Sequence, residues 1–157
     1  MVDELVAALG LKPHPEGGYY KETYRAEVQV ETPRGPRSVG TAIYYLLPRG
    51  HFAAWHEVAS DEVWHFYEGA SLLLYLLRPQ GLEAVRLGRE VSRGERPQVV
   101  VPAGVLQAAV PCGDFSLVGC TVAPGFDFSD WQMPSAQALV ARYPEHAPLL
   151  RQLSRPG

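Results

Sequence analysis

The 157-residue sequence is poor in cysteine: it has only Cys112 and Cys120, with seven residues between them and no CxxC pair. A disulfide framework needs several cysteines, and a structural zinc site needs closely spaced Cys or His ligands, so the sequence indicates neither. We expect both thiols to be small buried side chains, as free cysteines usually are. This cysteine usage is compatible with a cytoplasmic protein.

An excess of positive charge is also missing, because 14 Lys and Arg residues against 17 Asp and Glu residues give a formal net charge of −3. We therefore expect no nucleic-acid partner. The longest uncharged stretch, residues 97–113, is interrupted by Pro102 and Gln107, whereas a membrane helix needs about 20 mostly apolar residues. Asp3 and Glu4 stand where a secretory signal begins with positive charge. These features predict a cytoplasmic protein with no membrane partner.

Turn-forming residues are abundant, with 15 glycines and 14 prolines spread along the chain. They separate segments rich in Val, Tyr, Thr, Leu and Phe, a pattern that predicts an all-β sandwich or barrel. Short helices are predicted at Asp3–Leu9, with Asp3 as N-cap and Gly10 as the stop, and in the tail from Pro134. The predicted strands are Gly18–Val30, Val39–Leu47, Ala53–Val58, Glu62–Glu68, Ser71–Leu77, Leu82–Leu87, Gln98–Val101, Val105–Val110 and Phe115–Val122.

Two of these segments, Thr41–Leu47 and Leu72–Leu77, are apolar at almost every position. A half-exposed antiparallel strand alternates apolar and polar residues, so we expect a further layer over these strands. That layer is either the terminal helices or another subunit. All-β cores of this kind often pair across a two-fold axis, which favours a homodimer.

Three of the five histidines lie within residues 51–65. With a turn near residues 59–61, strand periodicity places His56 and Val58 on one face of the first strand and turns His65 to the other face of the second. The remaining face of the second strand carries Glu62, Trp64 and Phe66.

The segment from Gly50 to Gly69 resembles the first cupin motif, G-x5-H-x-H-x3-4-E-x6-G, with Val58 in place of the second histidine. The segment from Pro102 to Gln107 resembles the second motif, P-x-G-x2-H, with glutamine in place of the histidine. Blocks similar to the signatures of cupin family 5, a group of small single-domain cupins, are Pro15–Tyr20, Thr41–Leu47, Ser60–Gly69, Gly94–Gln98, Val101–Gly104 and Val118–Phe128.

The resemblance implies one domain over residues 1–157: a double-stranded β-helix, or cupin jelly-roll barrel, at about 18–130, and a helical tail at 134–157. A metal-binding cupin holds its ion with imidazoles and one carboxylate on the inner barrel wall. In this sequence His56 and Glu62 remain, and Gln107 offers only a neutral amide. We therefore expect no metal cofactor. The alternative is a metal-dependent cupin enzyme with these three residues as a partial ligand set.

A further resemblance, to metal-free sugar-nucleotide 3,5-epimerases, implies proton transfer at the carbon beside a carbonyl. His56 would be the base and Glu62 the carboxylate that orients it. A tyrosine would be the acid; the candidates are Tyr44, Tyr45 and Tyr67. The implied ligand is a small polar metabolite such as a sugar or nucleotide-sugar. The remaining alternative is a non-catalytic metabolite-binding module.

Residues around this centre are expected to line a small-molecule pocket. The segment containing Gly17 and Gly18 is implied by the family resemblance to cross the barrel mouth or to reach a partner subunit. It forms either part of the pocket or a purely structural turn. Asp127 is expected to cap a loop, and the alternative is a hydrogen bond to a ligand. The residues expected to bind substrate are Trp64, Phe66, Gln107, Glu16 and Tyr20.

Overall fold

Short apolar strands and tight turns fold into two facing antiparallel sheets in the computed structural model, which describes residues 1–155. The predicted all-β jelly-roll with short terminal helices is confirmed. The strands are β1 (Lys12–Pro13), β2 (Tyr19–Arg25), β3 (Gln29–Thr32), β4 (Gly35–Ser38), β5 (Thr41–Pro48), β6 (Ala53–Val58), β7 (Asp61–Gly69), β8 (Leu72–Arg78), β9 (Gly81–Leu87), β10 (Gln98–Val101), β11 (Leu106–Pro111), β12 (Phe115–Ala123) and β13 (Trp131–Gln132).

Strands that follow one another along the chain often belong to different sheets. The six-stranded sheet has the order β1-β2-β5-β12-β7-β10, and the five-stranded sheet has the order β13-β6-β11-β8-β9. A separate two-stranded hairpin consists of β3 and β4. The side chains between the large sheets form the main core, in which Tyr45, Leu74 and Trp64 are almost fully buried.

The terminal helices cover the outer faces of both sheets. They are α1 (Val2–Leu9), α2 (Ala136–Arg142) and α3 (Ala147–Gln152). Helix α1 packs over Leu46 and Leu117 of the six-stranded sheet. Leu139 and Leu150, in α2 and α3, pack over Trp55 on the outside of the five-stranded sheet. The terminal helices therefore supply a layer of the kind that the apolar strands predicted. The homodimer, the single domain and the cytoplasmic location stay predictions.

Four local predictions are wrong. The segment Gly18–Val30 is broken at Ala26, whose N–H bonds the carbonyl of Gly40, so β2 and β3 are separate. Strand β4 lies outside the predicted strands, because it contains glycine and proline. Helix α1 begins one residue before Asp3, with Met1 as N-cap. Cys112 is exposed, because it follows Pro111 in the turn that ends β11, while Cys120 is buried.

Gly10 does end α1: it adopts a left-handed conformation with φ 66°, and a hydrogen bond from its backbone N–H reaches the carbonyl of Val6. Within residues 1–155, no helix has the length and hydrophobicity needed to cross a membrane.

Candidate functional site

A cavity of about 480 Å³ lies between the two sheets. Its size falls within the range of about 300–1,000 Å³ that is usual for small-molecule sites. Strands β5, β6 and β7 point Tyr45, His56, Val58, Glu62 and Trp64 into it. Val58 presents an apolar side chain where the cupin motif has its second histidine.

The turn before β2 brings two more functional groups, His14 and Glu16, into the cavity. Backbone hydrogen bonds close this turn, from His14 N–H to the carbonyl of Gly18 at 2.9 Å and from Gly17 N–H back to the carbonyl of His14 at 3.0 Å. Gly17 has φ 120° and lies against the carbonyl of Phe52, where a Cβ atom would collide. The glycine pair thus lets the turn press against β6 and bury the side chain beside it.

Four side chains meet in what we call the Glu16 cluster: His14, Glu16, Tyr45 and His56. Glu16 Oε2 lies 3.3 Å from Nε2 of His56 and 3.3 Å from the hydroxyl oxygen of Tyr45. Its other oxygen, Oε1, lies 3.4 Å from Nδ1 of His14. The sequence predicted Glu62 as the carboxyl partner of His56, but the carboxyl in direct contact with this imidazole belongs to Glu16.

Hydrogen bonds to the backbone fix which nitrogen of each imidazole carries the proton. Nδ1 of His56 lies 2.6 Å from the carbonyl oxygen of Ala54, which can only accept, so Nδ1 carries the hydrogen. Nδ1 of His14 accepts the backbone N–H of Glu16 at 3.1 Å, so its hydrogen sits on Nε2. In its neutral form His56 therefore directs a free lone pair on Nε2 toward the Glu16 carboxyl.

Burial keeps the Glu16 cluster uncharged near neutral pH. It raises the pKa of Glu16 to about 8 and lowers the pKa of His14 to about 3. Burial also lowers the pKa of His56, although the Glu62 carboxyl partly opposes this shift. The pKa of Tyr45 lies well above its usual value for the same reason. The contact between Glu16 and His56 is thus a neutral acid beside a neutral base.

A second group of polar side chains, the Gln107 network, comprises Trp64, Gln107 and Glu62. The Trp64 indole N–H donates to Gln107 Oε1 at 2.9 Å, and Gln107 Nε2 donates to Glu62 Oε1 at 2.8 Å. Both bonds are satisfied only when the amide oxygen faces Trp64 and the NH2 group faces Glu62. Gln107 therefore fixes the Glu62 carboxyl and stays behind the cavity wall.

The donors do not fit a transition-metal ion. The amide oxygen of Gln107 is already bonded to Trp64, and Val58 has no donor atom. Among residues 1–155, no group of three or more His, Cys, Asp or Glu side chains is arranged to hold a metal. Gln107 is therefore engaged in the cavity wall, which leaves His56 and Glu62 of the partial ligand set for an ion.

Aromatic side chains form the wall of the cavity nearer its mouth. Phe128 packs edge-on against Phe126 and Trp131, with ring centroids 4.9 Å and 5.6 Å away. The Trp131 indole lies beside the Glu16 carboxyl, yet its buried Nε1 has no hydrogen-bond partner within residues 1–155. An unpaired buried N–H is costly, so this donor suits an acceptor atom of a ligand.

A buried carboxylate holds this wall in place. Asp130 precedes Trp131 and accepts hydrogen bonds from Arg37 at 2.8 Å and from Arg34 at 3.0 Å, which ties the β3–β4 hairpin to the loop. The Arg37 guanidinium keeps the pKa of Asp130 below its usual value. Asp127 caps the same loop by accepting the Ser129 N–H, as the sequence predicted.

The structure divides the residues proposed for substrate binding into two groups. Glu16, Tyr20 and Trp64 line the cavity. Phe66 faces the main core beyond it, and Gln107 lies behind Glu62.

The three candidate tyrosines are also separated. Tyr45 is in the cavity, but it donates its hydrogen to the Gly17 carbonyl at 2.7 Å. Tyr44 and Tyr67 pack edge to face with ring centroids 6.2 Å apart, and they do not line the cavity. His65 lies outside as well, where it bonds Thr121.

Sequence reasoning missed His14 and Trp131. A signal for His14 exists in its nearness to Glu16 along the chain, because residues two apart in a tight turn lie close together. No comparable signal marks Trp131, which follows a short turn of helix and pairs with Val58 through only two residues of β13.

Comparison with known proteins identifies the family. The model described as "Cupin superfamily (DUF985)" matches residues 3–134. The chain belongs to this cupin family.

Relatives of this cupin cover nearly its whole length. It is 41% identical to protein SO0799 from Shewanella oneidensis, with a TM-score of 0.91 over 99% of this chain and 98% of that one. It is 31% identical to a hypothetical protein from Leishmania major, with a TM-score of 0.92 over 98% of both chains. The uncharacterized protein YML079W from Saccharomyces cerevisiae is 32% identical over 82% of this chain and 73% of its own.

A more distant structural similarity supports the fold alone. A mutant form of oxalate decarboxylase from Bacillus subtilis is 15% identical, with a TM-score of 0.55 over 90% of this cupin and 36% of that chain.

Proposed function

We propose that this cupin binds a small polar carbonyl compound in its cavity and transfers a proton at the carbon beside the carbonyl, with His56 as the base. The observation that carries the proposal is the lone pair on His56 Nε2, which faces the carboxyl of Glu16 inside the cavity. Proton abstraction of this kind needs a base that is neutral before the reaction.

Glu62 supports this base. When His56 takes a proton it becomes an imidazolium, and the nearby Glu62 carboxyl favours that charge. The Gln107 network holds this carboxyl in position. In the proposed reaction Glu62 is a positioning residue, and His56 is the group that touches the substrate.

Two neutral donors suit the oxygen atoms of such a substrate. His14 carries its hydrogen on Nε2, and Trp131 has an unpartnered buried indole N–H among the described residues. The two rings are 6.4 Å apart between centroids, and both line the cavity. Preorganised donors of this type stabilise the negative charge that develops on a carbonyl oxygen during proton removal. A sugar or nucleotide-sugar is the ligand class that we propose.

Proton exchange tests this function. Aldoses, ketoses and nucleotide-linked keto-sugars are incubated with the protein in D2O, and NMR follows deuterium entering the position beside the carbonyl. We expect exchange that falls by about 10²–10⁴-fold in His56→Gln, the usual contribution of a positioned base. The matched control is His51→Gln, because His51 is exposed and lies outside the cavity lining.

Two results contradict the proposal. One is exchange that is the same in His56→Gln and in the wild type. The other is no exchange with any compound while some of them raise the melting temperature, which favours the non-catalytic binding module. A transition metal bound stoichiometrically and lost in His56→Ala favours the metal-dependent alternative.

A further inference from the structure

The buried ionisable groups of the cavity include the Glu16 cluster and Glu62, which lie close together. Glu16 and Glu62 influence one another electrostatically, His14 and His56 do the same, and Tyr45 responds to both carboxyls. Toward the mouth the lining changes to the aromatic wall and to solvent-exposed charges such as Lys12. A ligand that enters from the mouth therefore meets the groups that can exchange protons at one end.

Within this cluster, acid and base are in contact. Glu16 Oε2 and His56 Nε2 are 3.3 Å apart, so a substrate carbon that reaches the base has its attached oxygen next to the acid. Because the Tyr45 hydroxyl donates its hydrogen to Gly17, a protonated Glu16 carboxyl faces two acceptors, the Tyr45 oxygen and His56 Nε2. A substrate oxygen that displaces these acceptors receives the proton of Glu16.

Inversion of a carbon centre needs a different arrangement, in which a proton leaves from one face and another arrives from the opposite face. The candidate tyrosines do not provide the second group. Tyr44 and Tyr67 lie outside the cavity lining, and the hydroxyl of Tyr45 contacts Glu16 itself. None of the three candidate tyrosines therefore offers a free hydroxyl as the acid of an epimerase-like reaction.

We propose that His56 and Glu16 act together on one face of the substrate, and that the reaction is the isomerisation of a 2-hydroxy aldehyde to a hydroxy ketone. This inference rests on the proposed function and narrows it. It assigns Glu16 as a second residue that touches the substrate, and it names the substrate class as short aldoses or their derivatives.

The proton and electron balance closes without a co-reactant. His56 Nε2 takes the proton from C2, the electron pair of that C–H bond forms the C1–C2 double bond, and the C1 oxygen takes the proton of Glu16 to give an enediol. The Glu16 carboxylate then removes the proton of the C2 hydroxyl, and the O–H pair forms the new C2 carbonyl. The double-bond pair takes the proton of His56 at C1, on the same face.

Label transfer distinguishes the two stereochemical courses. The probes are D-glyceraldehyde, D-xylose and D-glucose, each deuterated at C2 and incubated with the protein in H2O. One-sided transfer gives the ketoses dihydroxyacetone, xylulose and fructose, with part of the deuterium moved to C1. The C2 epimers L-glyceraldehyde, D-lyxose or D-mannose as products would overturn this inference and leave the proton transfer of His56 intact. If deuterium stays at C2 in every probe, the proposed function is overturned as well.

The variant Glu16→Gln tests the role of the acid separately from that of the base. The amide still donates a hydrogen bond to the substrate oxygen but transfers no proton to it. We expect loss of deuterium from C2 to stay within about 10-fold of wild type while ketose formation falls by at least about 100-fold. Equal reduction of both rates would refute a role in the second half of the reaction. The matched control Glu57→Gln changes a partly exposed carboxyl on the same strand as His56, outside the cavity lining, and should alter neither rate.

Discussion

Two buried polar clusters in the same barrel differ in how completely their hydrogen bonds are made. In the Gln107 network, both bonds are 2.8–2.9 Å long, and each amide atom has one partner. In the Glu16 cluster, the carboxyl makes only contacts of 3.3–3.4 Å. The indole N–H of Trp131 beside it has no partner among the described residues.

The difference indicates that the two clusters have different roles: the Gln107 network holds the cavity in shape, and the Glu16 cluster carries the reactive groups. Buried polar groups are normally paired, and a fully paired network rigidifies its surroundings. The Gln107 network thus fixes the cavity wall at the positions where a metal-binding cupin would hold its ion. Groups that are buried but poorly paired keep lone pairs and protons free for a ligand, which is the condition of the Glu16 cluster.

The largest expected effect on stability is the pH dependence caused by Glu16. Its pKa rises from 4.5 to about 8 on folding because of burial, so between these values the unfolded chain loses a proton that the folded protein keeps. Folding therefore weakens as pH rises, by about 3 to 4 kcal/mol between pH 5 and pH 8. Glu16→Gln should lack this loss, and urea unfolding at several pH values measures the difference.

The control for this experiment is Glu57→Gln, which should follow the wild-type pH dependence. His14 acts in the opposite direction, because its pKa is lowered to about 3 and its contribution to stability is lost as pH falls below 6.5. Since His14 is present in all three proteins, its effect cancels in the comparison. Parallel curves for the wild type and Glu16→Gln would mean that Glu16 is ionised in the folded protein.

A smaller effect on stability is expected when the tryptophan in the Gln107 network, or the one beside the Glu16 cluster, is replaced by phenylalanine. Trp64→Phe leaves the buried oxygen of Gln107 without a donor, and the loss of this bond and of packing should cost about 1–3 kcal/mol in urea unfolding. Trp131→Phe removes an N–H that has no partner among the described residues and keeps an aromatic ring against Phe128. That change should alter stability by less than about 0.5 kcal/mol. Equal costs for the two substitutions would remove the distinction between the clusters.

The fold and the inner strand residues were predictable because the cupin motif is a fixed spacing. Gly50 and Gly69 bound two strands, and the two-residue period of a strand then orients His56, Glu62 and Trp64. The same rule predicts Phe66 to be inward, and it is, but it faces the core instead of the cavity. Periodicity gives the side of a sheet and carries no information about position along the barrel axis.

The chemistry of the site was less predictable because it depends on contacts between distant segments. The turn containing Glu16 reaches His56 only because Gly17 lets it approach β6. Trp131 enters through a loop that is held by ion pairs from Asp130 to the β3–β4 hairpin. Sequence spacing does not reveal such packing. The packing determines which groups are buried, and burial sets their protonation.

The most direct test of the account is the protonation of His56 in the folded protein. Side-chain 15N NMR of histidine-labelled protein at pH 7, with His56→Gln used for assignment, reports both ring nitrogens separately. We expect a neutral ring with the proton on Nδ1 and a lone pair on Nε2, facing a protonated Glu16. A ring protonated on both nitrogens at this pH would contradict it, because Glu16 and His56 would then form an ion pair with no free base.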